Sequence, residues 1–178
     1  VRLSPYLNDP ETGAPNANYF GVQSDDAEAV YSHVVRGLND FDLAYLLLTE
    51  PRVGGGLATD PKSDQGFRHP LALRHYRTLY NGMLMGAGGF TPLTAATAIE
   101  QNAYDLIAFG RWFISNPDLP DRIRHGHDLT IYDRATFYSG SSVGYTDYPD
   151  SYDRAKAAGY RMIAIADVGA SLPKPKQT

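Results

Sequence analysis

Met83-Leu84-Met85-Gly86-Ala87-Gly88-Gly89-Phe90-Thr91-Pro92 runs from a short apolar strand pattern straight into a helix start. Further on, Leu106-Ile107-Ala108-Phe109-Gly110-Arg111 repeats the plan. Glycines at a strand-to-helix turn let backbone N–H groups come close to a phosphate, and the helix N-terminus behind them favours negative charge. Arg111 adds a planar donor fork that suits a phosphate better than a lysine would. Two consecutive βα loops of this kind are where a (β/α)8 barrel holds a phosphate. A Gly-Gly pair after a strand is also a common tight turn, so the glycines alone leave both readings open.

Outward from these turns, strand and helix patterns alternate. Val1–Pro5 reads as a strand. Asp25 with Glu28 resembles a capping box, and Ala27, Val30, Tyr31, Val34, Val35 and Leu38 then share one helical face. Leu43–Thr49 is nearly continuous apolar sequence, as in a parallel strand buried on both faces, and Glu50-Pro51-Arg52 ends it. Leu71–Tyr80 reads as a helix and Met83–Ala87 as a strand. Thr91-Pro92 opens a helix to about Asn102, with Leu93, Ala96 and Ile99 inward. Leu106–Phe109 is the fourth strand, and Asn116-Pro117-Asp118 opens a helix to about His125. Residues 129–149 read as an aromatic loop, and Ser151–Gly159 as a short helix stopped by glycine. Stretches 6–23 and 53–68 read as long loops, and Pro173-Lys174-Pro175-Lys176 as a disordered end.

Four strand–helix alternations predict parallel βα units. A complete (β/α)8 barrel needs about 250 residues, so four units fill half of one. A flavodoxin-like open sheet is the other way to use them, and the long loops after strand C-termini favour the barrel. The expected organisation is therefore α/β, with a half-barrel over residues 1–159 and an extension, partly disordered, over 160–178.

The 178 residues carry 43% hydrophobic and 20% charged side chains and a formal net charge of −4, ordinary globular composition. The absence of a basic cluster argues against nucleic acid or an anionic membrane face as partner. There is no cysteine, which removes disulfides and thiolate metal sites and fits a reducing, cytoplasmic setting. No apolar run is long enough to span a bilayer. The chain begins Val1-Arg2-Leu3-Ser4, which reads as a start inside a strand. His125 and His127 lie on a polar loop without a third ligand, so no metal is expected.

Val1-Arg2-Leu3-Ser4-Pro5, Leu43-Ala44-Tyr45-Leu46 with Glu50-Pro51-Arg52, Gly88-Gly89-Phe90-Thr91, the run from Ala108 to Leu119, Tyr132-Asp133-Arg134-Ala135-Thr136-Phe137-Tyr138 and Gly144-Tyr145-Thr146-Asp147-Tyr148-Pro149 occur in that order. With them the chain resembles the C-terminal half of the Old Yellow Enzyme family, oxophytodienoate reductases included, over roughly residues 1–159. The resemblance implies an FMN-containing (β/α)8 barrel. It also implies an NAD(P)H-oxidising ene-reductase acting on the C=C bond of α,β-unsaturated carbonyl compounds, enones and enals. Arg2 would face the flavin N1/O2 edge, where a fixed positive charge stabilises negative charge on the ring. Gly88, Gly89, Gly110 and Arg111 would bind the FMN phosphate. Phe137 would pack on the dimethylbenzene side, and Tyr138 would line the substrate pocket. Asp147 is expected to pin its loop by hydrogen bonds.

The family's carbonyl-gripping pair and proton-donating tyrosine belong to its N-terminal half and have no counterpart here, so no catalytic residue is expected in this half. Alone it should be inactive, and a complementing chain with the missing strands is the expected partner. A non-catalytic FMN-binding or structural half-barrel subunit is the alternative. Leu47 stands where the family often has a polar residue or histidine, and Arg161–Thr178 has no counterpart role.

Overall fold

The computed structural model describes residues 1–5, 26–50 and 75–168, in two units, Val1–Ala108 and Phe109–Thr178. The two long loops expected at 6–23 and 53–68, residue Asp25, residues 71–74 of the helix expected over 71–80, and the C-terminal tail lie outside the described residues.

The first unit is built on a four-stranded parallel sheet in sequential order: β1 (Arg2–Leu3), β2 (Leu46–Thr49), β3 (Leu84–Ala87) and β4 (Leu106–Ala108). Arg2 pairs with Leu47, Leu47 with Met85, and Met85 with Leu106. The α/β class with a parallel sheet is as the alternation predicts. The strands are shorter than the apolar runs: Leu43 to Tyr45 precede β2, and Phe109 follows β4. In β2, Leu46 and Leu48 are fully buried and Leu47 only half so, so burial on both faces is incomplete.

Helix α1 (Ala27–Gly37) follows Asp26, whose side chain makes no capping hydrogen bond. It buries Ala27, Ser32 and Val35, whereas Val30 is 54% and Val34 38% exposed. The expected inward face is therefore corrected. Ser32 takes an inward place because the ring of His75 satisfies its hydroxyl, with Oγ and Nε2 2.6 Å apart.

Helix α2 (Pro92–Glu100) starts as the sequence predicts. Thr91 Oγ1 accepts from the Thr94 N–H at 3.2 Å, the Thr91 N–H donates to Thr94 Oγ1 at 2.9 Å, and Pro92 fills the first turn. Its inward stripe differs: Pro92, Ala95 and Ala98 are buried, while Leu93 and Ile99 are exposed and so is Ala96. Small side chains let a helix backbone lie close to its support, and that displaces the larger residues outward.

The second unit holds α3 (Arg111–Ser115), α4 (Leu119–His125), β5 (Leu129–Thr130), α5 (Tyr152–Ala157) and β6 (Met162–Ile163). Gly126 closes α4 at φ +67°, the left-handed exit that glycine adopts freely. Strands β5 and β6 pair antiparallel, where the sequence showed only a loop and an apolar run. Trp112, Leu119, Leu129, Tyr132 and Val168 form the core, with Phe109, Phe137, Ile163 and Ile165 against it. Residues 162–168, expected to begin a C-terminal extension, are thus tied into this unit by β6, Ile165 and Val168.

Two buried polar devices brace the second unit. Asn116 donates to the carbonyls of Trp112 (2.8 Å) and Thr130 (3.1 Å) and accepts from the Thr130 N–H (2.8 Å), fastening the end of α3 to β5. Arg122, fully buried, donates to Asp118 Oδ1 at 2.8 Å and to Thr130 Oγ1 at 2.9 Å. Asp118 Oδ2 accepts from the Tyr152 N–H at 2.8 Å, which joins α4 to α5.

Candidate functional site

In a parallel sheet all strand C-termini meet at one edge, and in the first unit that edge carries the polar groups. Arg2 opens β1 and is exposed, and its side chain reaches the C-terminal end of β2, where its Nε donates to Thr49 Oγ1 at 3.2 Å. Glu50 follows β2 and is 1% exposed. Its N–H donates to the Ala87 carbonyl at 2.8 Å, and its carboxylate accepts from the Tyr104 phenol at 2.5 Å. The Tyr104 ring lies so close over β3 that a Cβ on Gly86 would meet it at 2.7 Å, and it meets Phe90 edge to face at 5.9 Å.

β3 then ends in two consecutive left-handed residues, Gly88 at φ +101° and Gly89 at φ +71°. Other residues pay a steric penalty for such a turn, and two in succession call for glycine. Among the described residues, nothing lies within 4 Å of where a Cβ on Gly89 would be. The turn leads into the capped N-terminus of α2, and successive N–H groups at such a place form an anion cradle. A phosphate fits these residues, and the fixed charge of Arg2 stands at the same edge.

In the second unit, Gly110 is the N-cap of α3, and the space where its Cβ would stand is also open. The Arg111 guanidinium lies over the Tyr132 ring at 5.8 Å. Tyr132 also meets Trp112 edge-on at 5.0 Å and Phe137 at 5.5 Å. Phe137 is half-buried and packs on the core cluster. Tyr138 is 79% exposed, at φ +58°. Asp147 pins its loop as expected, its Oδ1 accepting the Gly144 N–H at 2.7 Å. His127 stacks on Tyr152 at 4.2 Å, and His125 Nδ1 lies 2.9 Å from the Asp121 carbonyl.

Two further groupings read as structural. At the N-terminal edge of the sheet, Asp105 Oδ2 accepts from the Leu84 N–H at 2.7 Å and from Arg77 at 2.8 Å. The Leu84 bond foremost, then Arg77, hold the Asp105 carboxyl below its usual range, against an opposing contribution from burial. Ser32, His75 and Glu28 are arranged in series, His75 Nδ1 being 4.0 Å from Glu28. Ser32 sits inside α1, where backbone N–H groups are committed to the helix, so the series ties His75 to α1 rather than forming a nucleophile.

Sequence reasoning located the glycine turn after β3. It took Glu50 only as the end of a strand and passed over Tyr104 entirely. A glutamate at the close of an apolar run, just before proline, was the available signal.

Residues 2–130 match the model of the NADH:flavin oxidoreductase / NADH oxidase family. The chain is 35% identical over 150 residues to putative 12-oxophytodienoate reductase 11 of Oryza sativa subsp. japonica, covering 84% of this chain and 36% of that protein. It is 34% identical over 152 residues to 12-oxophytodienoate reductase 2 of Arabidopsis thaliana, again covering 84% and 36%. It therefore spans about a third of the length of these relatives. Among solved structures, the old yellow enzyme homologue from Zymomonas mobilis is similar with a TM-score of 0.64 at 32% identity, over 84% of this chain and 37% of that one. A morphinone reductase is similar with a TM-score of 0.62 at 34% identity, over 84% and 35%. With a parallel α/β sheet, a glycine turn suited to phosphate and a family match over most of its length, the chain belongs to the NADH:flavin oxidoreductase family of Old Yellow Enzyme.

Proposed function

We propose that this chain is part of an FMN-dependent, NAD(P)H-oxidising ene-reductase that reduces the C=C bond of α,β-unsaturated carbonyl compounds. FMN is the cofactor of the family and NAD(P)H its reductant. When bound, FMN carries hydride from NAD(P)H to the substrate's β-carbon. In this reading the four sequential parallel strands are the C-terminal half of a (β/α)8 barrel, and another polypeptide segment supplies the remaining strands.

The observation that carries the reading is the Gly88-Gly89 turn, with two successive positive φ angles ahead of a capped helix. Gly88 and Gly89 hold the FMN phosphate through backbone N–H groups, and Gly110 and Arg111 contribute from the following βα loop. Arg2, steadied by Thr49, holds a positive charge toward the flavin's pyrimidine edge. Phe137 offers an apolar face to the ring, and Tyr138 lines the substrate side. The proton that completes the reduction comes from outside this set of residues, since the assigned groups bind and orient.

A visible spectrum and intact mass taken on one purified sample test the reading. Flavin absorption near one equivalent is expected, and turnover of cyclohexenone with NAD(P)H once the remaining strands are supplied. A folded protein that takes up no FMN under those conditions overturns it. A flavin-loaded complex that leaves cyclohexenone untouched reduces it to the binding-module alternative.

A further inference from the structure

The Asp133–Tyr138 segment is held at both ends by tyrosine hydroxyls from the Gly144–Pro149 run. The Tyr148 hydroxyl accepts the Asp133 N–H at 2.9 Å, and the Tyr145 hydroxyl accepts the Tyr138 N–H at 2.8 Å. Between these, Asp133 Oδ1 accepts the Ala135 N–H at 2.9 Å. Gly144 lies so tight against Thr136 that any Cβ there would collide with the threonine side chain, and its own φ is +79°. The two stretches are therefore fitted to each other along their length.

The Tyr145 bond falls on an unusual residue. Tyr138 is at φ +58°, a region that non-glycine residues other than Asn and Asp seldom enter, and its ring is 79% exposed. Its N–H is bonded to a hydroxyl seven positions further on while its backbone is held at positive φ. Strain of this kind persists where surrounding bonds over-determine it, and it marks places where a side chain must be aimed. The left-handed conformation turns the Tyr138 N–H toward Tyr145, and the bond compensates the strain.

We infer that Tyr145 is a positioning residue whose hydroxyl holds Tyr138 in the left-handed conformation and so sets how its ring meets the substrate. The inference rests on the ene-reductase reading given above. The ligand it serves is a planar enone, whose flat apolar face suits an exposed phenol ring. Tyr148 anchors the other end of the segment. Its hydroxyl titrates above the ordinary tyrosine range, chiefly through burial, with Asp133, Asp147 and Tyr160 nearby adding to the rise and the Asp133 N–H opposing it. It thus stays a neutral phenol at physiological pH.

Tyr145→Phe removes the acceptor and keeps the ring. Two readouts on the flavin-loaded complex, with the remaining strands supplied, test the inference: hydrogen exchange at the Tyr138 amide, and KM against kcat for cyclohexenone with NAD(P)H. In the variant the Tyr138 amide should exchange about tenfold faster and KM should rise about tenfold, the worth of one hydrogen bond. The change in kcat should stay within about twofold, because no reacting group is removed. Tyr138→Gly supplies the second variant, since glycine takes a positive φ without a clamp. In that background Tyr145→Phe should add nothing to KM, a coupling that loss of general stability does not produce.

Unchanged exchange at Tyr138 overturns the clamp. Faster exchange with unchanged KM, or additive effects in the Tyr138→Gly background, overturns its role in substrate selection. A wild-type complex, flavin-loaded and with the remaining strands supplied, that leaves cyclohexenone untouched overturns the ene-reductase reading instead, and the exchange measurement on the same complex still decides the clamp.

Discussion

The Tyr104 phenol donates a 2.5 Å hydrogen bond to the carboxylate of Glu50, and both residues are 1% exposed. They lie 54 positions apart in the chain, so the bond ties the residue that follows β2 to the segment ahead of β4. Because the Glu50 N–H also holds the Ala87 carbonyl, the pair braces the strand end from which the Gly88-Gly89 turn departs.

Tyr104→Phe should therefore destabilise the protein by about 1–3 kcal/mol, the cost of taking a donor from a buried acceptor. Gly86→Ala should cost a similar amount by a different route, overpacking against the Tyr104 ring, typically about 1–3 kcal/mol. Urea unfolding of both variants, followed by circular dichroism, gives the comparison. A Tyr104→Phe midpoint equal to wild type would contradict the bracing role.

Gly89→Ala separates conformation from ligand approach. Among the described residues no atom lies within 4 Å of the added methyl, so the apo protein should lose the left-handed penalty, about 1–2 kcal/mol. Under the proposed function, binding of FMN should fall well beyond that, because the methyl would stand where the proposed phosphate contact is made. Isothermal titration with FMN and a thermal melt of the apo protein, run on the same preparation, distinguish the two effects. Arg111→Ala should weaken FMN by about tenfold or more through loss of a charge-assisted hydrogen bond.

Stability should fall on the acid side through Asp105. Its folded pKa lies below the unfolded value, so the folded state binds its proton less readily. The stabilisation is then fully present above the unfolded pKa, about 3.9 for aspartate. It drains away as pH falls through that value toward the lower, folded one. Thermal melts at a series of pH values should show wild type and Asp105→Asn converging below about pH 4 and separated at neutral pH. A constant offset across the series would show that the carboxylate's charge is not what matters.

Arg122→Ala should be the most damaging of these substitutions. The guanidinium is wholly buried and bonded to Asp118 and Thr130. Removing it strands the Asp118 carboxylate, and breaking a buried pair in this way costs about 3–5 kcal/mol. Urea unfolding provides the measurement, and a loss below about 1 kcal/mol, the worth of an exposed pair, would mean that Asp118 is adequately held by the Tyr152 N–H alone.

What the sequence made legible followed from local chemistry. Thr91 and Pro92 announce α2 because a hydroxyl cap and a fixed φ act within one turn, and Gly159, at φ +73° just beyond α5, announces the end of that helix for a similar reason. The inward faces of α1 and α2 were misjudged because hydrophobicity was read as depth. The packing instead selected Ala95 and Ala98 for size, and Ser32 for a partner 43 positions away. The β5–β6 pairing escaped notice because two-residue strands leave no periodicity, and their partners are far apart in the chain. The tyrosine hydroxyls of the Gly144–Pro149 run were visible as aromatic residues, yet nothing local told which backbone N–H groups they would take.

The single tryptophan of the chain is Trp112, packed edge-on against Tyr132 in the core of the second unit. Intrinsic indole emission therefore watches the core of the second unit. Its red shift on heating or in denaturant reports the loosening of the Leu119–Leu129–Tyr132 cluster, while circular dichroism follows the helices and strands of both units. Circular dichroism and indole fluorescence recorded together become two separate clocks, and whether they keep the same time tells if the two units unfold as one.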